Sequence, residues 1–261
     1  MSNKNYFSLF TILFFLSMNL CAQDTWQQFR GNNRNGASTD ISLNEKSLDI
    51  GQSMVWKKTI GSGYSEILVA NDKVFTMITE KTDSLKGSEF LAAYDAISGE
   101  EVWRTLVDSM IIDADGAGEP TRSTPAMDDK ALYCLSSFGK LKALSLKDGK
   151  TIWTVDFSQD YGNKPGWIYT TSPILYEDEL IIEVGATESR AFASFDKTTG
   201  KALWIQREGT TTYCSPTIAS IDGKMNIIFA NGPTLTSYNK AGDQLWSYSM
   251  PIQNPTATPL F

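Results

Sequence analysis

An all-β fold of repeated four-stranded antiparallel blades, a β-propeller, is what the sequence predicts, and three observations predict it. The spacing Gly-x-x-x-Trp occurs four times, at Gly99/Trp103, Gly149/Trp153, Gly200/Trp204 and Gly242/Trp246. A Ser/Thr-Pro pair keeps the same step, at 124–125, 172–173, 215–216 and 258–259. Between these markers each unit holds further short runs with β-branched or aromatic content and alternating polarity, and no stretch after residue 22 has a 3.6-residue period. The tryptophans Trp56, Trp103, Trp153, Trp204 and Trp246 are 47, 50, 51 and 42 residues apart. Four antiparallel strands repeated at about 45 residues is the arithmetic of a propeller blade.

The first 22 residues stand apart from this pattern. Lys4 precedes a continuous apolar run over 6–20, and "CAQD" ends it at 21–24. That is the layout of a secretory signal peptide, with cleavage expected after Ala22 and the mature chain beginning at Gln23. The run is short for a membrane-spanning helix, which makes an uncleaved anchor the weaker reading. Lipidation of Cys21, giving an outer-membrane anchor, is a further alternative, with Leu20 a poor residue before it. Residues 23–261 then form one propeller domain. Within it Trp56, in "MVWKKTI", reads as an outer strand without its three inner partners. Residues 64–104, 121–155, 170–206 and 212–249 make four complete blades, and "TATPLF" at 256–261 begins a fifth. The expectation is an incomplete propeller, a fragment of a larger ring.

Composition narrows the function classes. The chain is 41% apolar and 20% charged, as a globular protein is, and carries a net charge of −7 with no histidine. Nucleic-acid binders present basic surfaces, so no nucleic-acid partner is expected. Without histidine there is no Ser-His-Asp catalysis, no Cys-x-x-Cys-His haem attachment and little zinc chemistry. Cys134 and Cys214 lie in different repeats and read as small buried fillers rather than a disulfide.

The repeated phrase has a local physical reading. An Asp-x-x-Thr/Ser-Gly segment turns the third strand into the fourth: the carboxylate bonds turn amides and the glycine takes the φ > 0 position. Four residues later a tryptophan on the outer strand wedges against the adjacent blade, because one sheet cannot bury both of its faces. Trp56, Trp103, Trp153, Trp204 and Trp246, with Gly99, Gly149, Gly200 and Gly242, are therefore assigned to docking of blades. The phrase Ala-x-Asp-x-x-Thr/Ser-Gly-x-x-x-Trp resembles the tryptophan-docking repeat of the PQQ-like (quinoprotein-type) β-propeller family. "AYDAISGEEVW" matches in full and "SFDKTTGKALW" nearly so; "ALSLKDGKTIW" lacks the turn aspartate, and "SYNKAGDQLW" is one residue shorter with asparagine there. "TWQQFRGNNRNGAS" at 25–38 is similar to the Trp-x-Gln-Phe-Arg-Gly opening of exported members.

Strand parity places the tight turns ("ANDK", "MDDK", "YEDE") on one face and the longer connections 105–122, 156–169 and 207–213 on the other, where a site is expected. Asp113, Asp115 and Glu119 offer oxygen ligands around glycines, a weak calcium candidate set, since the segment is far shorter than a twelve-residue EF-hand loop; a solvated acidic turn is the competing reading. Arg122, Tyr161, Trp167, Tyr169 and Tyr213 are candidates for a partner-binding face, although aromatics serve cores and interfaces alike. No residue is assigned to catalysis. The resemblance implies an exported, periplasmic or envelope-associated scaffold without cofactor, binding other envelope proteins as BamB-like outer-membrane assembly propellers do, and peripheral to the membrane at most. Its alternative implication is a quinoprotein alcohol or sugar dehydrogenase, with PQQ and calcium in the central channel.

Overall fold

The computed structural model describes residues 25–38, 54–83, 86–111, 121–162, 168–185, 191–206, 212–251 and 257–259. Four sheets appear in chain order, each a four-stranded antiparallel meander. Blade 1 holds β1 (Leu68–Ala70), β2 (Lys73–Lys81), β3 (Lys86–Asp95) and β4 (Glu101–Ile111). Blade 2 holds β5 (Ala126–Met127), β6 (Ala131–Leu135), β7 (Lys140–Ser145) and β8 (Thr151–Asp156). A single helical turn, α1 (Phe157–Tyr161), leads on to blade 3: β9 (Ile174–Tyr176), β10 (Glu179–Glu183), β11 (Phe192–Asp196) and β12 (Ala202–Gln206). Blade 4 holds β13 (Thr217–Ile221), β14 (Lys224–Asn231), β15 (Thr234–Tyr238) and β16 (Gln244–Ser249). The blade boundaries follow the sequence reading, with two corrections. The β3–β4 ladder runs from Tyr94↔Glu101 out to Lys86↔Ile111, so residues 105–111 are strand and not connection. The connection after β8 contains α1, capped by Asp156, whose Oδ1 accepts from the N–H groups of Ser158 (3.0 Å) and Gln159 (3.1 Å).

The core lies between blades. Side chains alternate along a strand, so β6 sends Leu132 and Cys134 into a cluster with Leu68, Phe75, Met77 and Leu91 of blade 1. The same strand sends Tyr133 and Leu135 into a cluster with Leu180, Ile182 and Phe195 of blade 3. Blades 3 and 4 share a third cluster in which the Phe192 and Phe229 rings stack with centroids 4.0 Å apart. Cys134, in the cluster between blades 1 and 2, and Cys214 are both free and buried, and burial pushes both thiols up to about 12.

One irregularity recurs in every blade. The register of the last ladder slips at Ala93/Tyr94, Ala143/Leu144, Ser194/Phe195 and Ser237/Tyr238. The residue before each slip pairs with the tryptophan: Ala93↔Trp103, Ala143↔Trp153, Ser194↔Trp204 and Ser237↔Trp246. A bulge bends its strand and re-aims the side chain beside it; here it turns an indole out of the ladder.

Candidate functional site

At the rim, the indoles of Trp103, Trp153 and Trp204 each rest on the turn glycine of the following blade. A Cβ built on Gly149 would lie 2.5 Å from the Trp103 ring, on Gly200 2.7 Å from Trp153, and on Gly242 2.7 Å from Trp204. Trp56 reaches Gly99 of blade 1 in the same way (2.6 Å), although residues 54–60 form no strand. These glycines thus meet two demands, a φ near +70° and a bare surface for an indole face. Indole N–H groups donate to the carbonyl just after the turn's first residue: Trp56 Nε1 to Ala96, Trp153 to Lys197 and Trp204 to Lys240, each at 2.9 Å. Trp103 Nε1 is buried without a partner, on the turn where Ser145 replaces aspartate. Trp246 donates within its own blade, to Asn226 Oδ1 (2.9 Å).

The Ser/Thr-Pro marker builds a second joint on the inner side. Glu66 N–H donates to Thr124 Oγ1 (3.0 Å), Thr124 N–H to Ser172 Oγ (3.0 Å), Ser172 N–H to Ser215 Oγ (2.9 Å) and Ser215 N–H to Thr258 Oγ1 (3.2 Å). Each hydroxyl accepts from the unit before it, and the N–H groups of Thr124, Ser172 and Ser215 donate in turn to the one after. The proline behind it carries no N–H to satisfy.

Glu66 takes the hydroxyl position in blade 1, and its carboxylate fastens the segment 25–38. Oε2 accepts from Trp26 Nε1 (2.9 Å) and from the Arg30 N–H (2.8 Å). Trp26 pairs with Val69 of β1 through two backbone bonds (2.9 and 3.0 Å), and the Gln27 carbonyl accepts from Met127 of β5 (2.9 Å). Gly31, at φ 77°, lies under the Trp26 ring. Arg34 then reaches blade 4, donating from Nη2 to the Pro216 carbonyl at 2.8 Å. The segment therefore spans the first-strand side of the stack, from blade 1 to blade 4. Between it and blades 3 and 4 lies a cavity of about 240 Å³, lined by Gln28, Asn32, Asn33, Arg34 and Asn35 on one side and by Ile174, Leu175, Tyr176, Thr217 and Ile218 on the other.

A buried polar cluster fastens blades 1 and 2. Glu89 of β3, fully buried, accepts from the Ser137 N–H (2.8 Å) and the Ser137 hydroxyl. Across the ladder Asp108 of β4 accepts from Ser136 Oγ (2.8 Å) and Lys140 Nζ (2.6 Å). Desolvation raises the Glu89 carboxyl to about 7, and the nearby Asp108 charge pushes the same way against the Ser137 hydrogen bonds. In blade 3, Glu183 is likewise buried, accepts from the Thr212 N–H (2.7 Å), and is held well above the usual carboxylate range by desolvation.

The proposed partner-face residues fare unequally. Arg122 is exposed, with its guanidinium 4.8 Å over the exposed Tyr64 ring, and Tyr213 is 37% exposed. Tyr169 is a correction: fully buried, it donates from its hydroxyl to the Val184 carbonyl (2.7 Å) and packs edge-on against Phe157. Tyr161 is half-buried on the Phe157 and Phe195 rings, so it too serves the interior. Trp167, Asp113, Asp115, Glu119, Cys21 and Ala22 lie outside the described residues.

Comparison with known proteins agrees with this architecture. The family model described as outer membrane protein assembly factor BamB matches residues 87–260. A curated relative, outer membrane protein assembly factor BamB of Salmonella typhimurium, is 24% identical over 149 residues, covering 55% of this chain and 35% of that protein. The aligned part is thus about a third of that relative's length. Among solved structures, a europium-containing methanol dehydrogenase superposes with a TM-score of 0.56 at 11% identity, covering 88% of this chain and 50% of the other. The quinohemoprotein alcohol dehydrogenase of Comamonas testosteroni gives 0.55 at 15% identity, covering 74% and 35%. At such identities these two likenesses show the fold alone.

Proposed function

Because this chain belongs to the outer membrane protein assembly factor BamB family, we propose that it is a non-catalytic, exported β-propeller that binds other envelope proteins as a scaffold. The observation that carries this reading is the segment 25–38, bonded along the first strands of blades 1 and 2 and tied to blade 4. Resemblance to quinoproteins implies a quinone with calcium in the channel. The cavity beside that segment is lined by amides, aliphatics, one arginine, Tyr176 and Thr217, with no carboxylate. Calcium takes six to eight oxygens, carboxylates prominent among them, so this particular cavity is not a calcium site. Binding is assigned to the face carrying the inter-blade connections, where Arg122, Tyr64 and Tyr213 are exposed.

The test is photocrosslinking in cells. A photoreactive residue at position 213 or 122 is expected to give discrete adducts in the envelope fraction, while one at exposed Ile97, on the opposite turn face, gives none. Equal adducts from all three positions overturn the assigned face. Dye reduction by purified protein given PQQ and calcium overturns the scaffold reading itself.

A further inference from the structure

On the face of the tight turns, two joints between blades are closed by a lysine that reaches back to an acidic turn. Lys197, in the β11–β12 turn of blade 3, meets Asp128 in the β5–β6 turn of blade 2 at 2.9 Å. Lys240, in the β15–β16 turn of blade 4, bonds Glu177 and lies 3.1 Å from Asp178 in the β9–β10 turn of blade 3. The two lysines hold equivalent places, since the carbonyl of each accepts from the indole of the preceding blade. The joint between blades 1 and 2 has neither partner. Leu146 stands before Gly149 where Lys197 stands before Gly200, and Asn71 opens the turn of blade 1 where Asp128 opens that of blade 2. Both halves of the ion pair are thus replaced together. Trp103, whose N–H is unpaired, rests on Gly149 at this same joint.

An open cavity of about 380 Å³ occupies the place, between the β1–β2 turn of blade 1 and the β5–β6 and β7–β8 turns of blade 2. Phe75 and Leu146 are the buried part of its lining. The rest carries three lysines, Lys73, Lys130 and Lys147, against one carboxylate, Asp129. Lys130 and Lys147 are exposed to solvent, and Lys73 Nζ has only the Asn71 carbonyl, at 3.5 Å. None of the three forms an ion pair among the described residues. Asp72 and Asp148 adjoin in sequence but lie outside the lining, and Asp148 is engaged by Lys150 at 3.0 Å. A chain with 30 acidic against 23 basic residues therefore keeps an unpaired cationic opening here. We propose that it receives an acidic polypeptide segment of a partner protein, with carboxylates paired to Lys130 and Lys147. Charge complementarity chooses this occupant. Lysines set around an opening suit carboxylates spaced along a chain, whereas a phosphate gathers its donors at one point. Asp129 opposes a dianion there but can accept a peptide N–H. The site is on the turn face, away from the connections, and does not depend on the reading above; Ile97 shares that face but is not in the lining.

The experiment follows backbone amide signals of the full ¹⁵N-labelled chain. The probe is acetyl-Asp-Glu-Leu-Asp-Glu-amide, and its Asn/Gln counterpart is the uncharged control. Saturable shifts at Lys130 and Lys147, and none at Lys240, are expected with a Kd of about 100 μM at low salt. Affinity should fall about tenfold as ionic strength rises from about 0.01 M to about 0.15 M. Lys130→Gln combined with Lys147→Gln, at two exposed positions, should bind the probe at least about tenfold more weakly. Asn71→Asp combined with Leu146→Lys restores the ion pair of the other joints across the opening; it is expected to abolish the shifts and to raise the thermal midpoint. Inorganic phosphate and phosphatidylglycerol vesicles are the competing ligands. Tighter binding of either than of the peptide, no saturable shift, an equal response to the uncharged peptide, or unchanged affinity in the lysine variant overturns the proposal. So does a concentration-dependent dimer lost in that variant, which would give the opening to a second copy of this chain.

Discussion

Single residues carry two separable effects in the turns. Gly149 and Gly162 share φ 69°, but a Cβ on Gly149 would strike Trp103 and Thr105, whereas one on Gly162 meets nothing within 4 Å. Gly162→Ala is therefore expected to cost about 1 kcal/mol, the conformational penalty alone. Gly149→Ala should cost about 2–3 kcal/mol more through overpacking, read as the difference in urea midpoints. Glu89 gives a pH dependence whose sign follows from its raised value. Folded, the carboxyl titrates at about 7 against an ordinary 4.5, so between these values the folded chain holds a proton that the unfolded chain has lost. Its contribution is full below pH 4.5, falls as pH rises to 7, and is level above, for a loss of roughly 3 kcal/mol at most. Urea midpoints of the wild type minus those of Glu89→Gln should trace that fall; a flat difference refutes it. None of this was legible in the sequence, where Glu89 is one glutamate in a strand and its partner Ser137 lies 48 residues away.

At the scale of elements, the four-stranded unit was legible because its markers are local. Gly-x-x-x-Trp states both a hairpin and a ring position, and four copies fix the period. What the phrase does not state is that each glycine seats the indole of the blade before it, or that each Ser-Pro hydroxyl accepts from the blade before it. Those pairings join equivalent positions one period apart, where strand propensity is silent. The loops were harder still: Tyr169 looked available to a partner because an aromatic in a connection carries no sign of which way it faces. The docking elements are not equivalent, and this is measurable. Trp153→Phe removes ring area and the bond to the Lys197 carbonyl, whereas Trp103→Phe removes ring area and an N–H that had no partner. The first is expected to be the more destabilising by about 1 kcal/mol, as read by chemical denaturation of both variants.

For the molecule as a whole, the segment 25–38 is the part that neighbouring blades do not supply. Its contacts span up to 182 residues of sequence, as from Arg34 to Pro216, which no periodicity announces. The Trp-x-Gln-Phe-Arg-Gly phrase flagged the segment without saying where it lay. Trp26→Ala should cost about 3 kcal/mol or more, and hydrogen exchange should quicken at the Val69 and Met127 amides, which donate to carbonyls of this segment. Unchanged exchange at both would show that the segment merely lies against the blades. Rim and interior joints also share a polarity: the indoles of Trp103, Trp153 and Trp204 and the amides of Glu66, Thr124 and Ser172 reach from one blade to its successor. Joints that all point one way relate successive blades by rotation about a shared axis, so a blade inserted in the reverse sense would leave both its indole seat and its hydroxyl acceptor unmade.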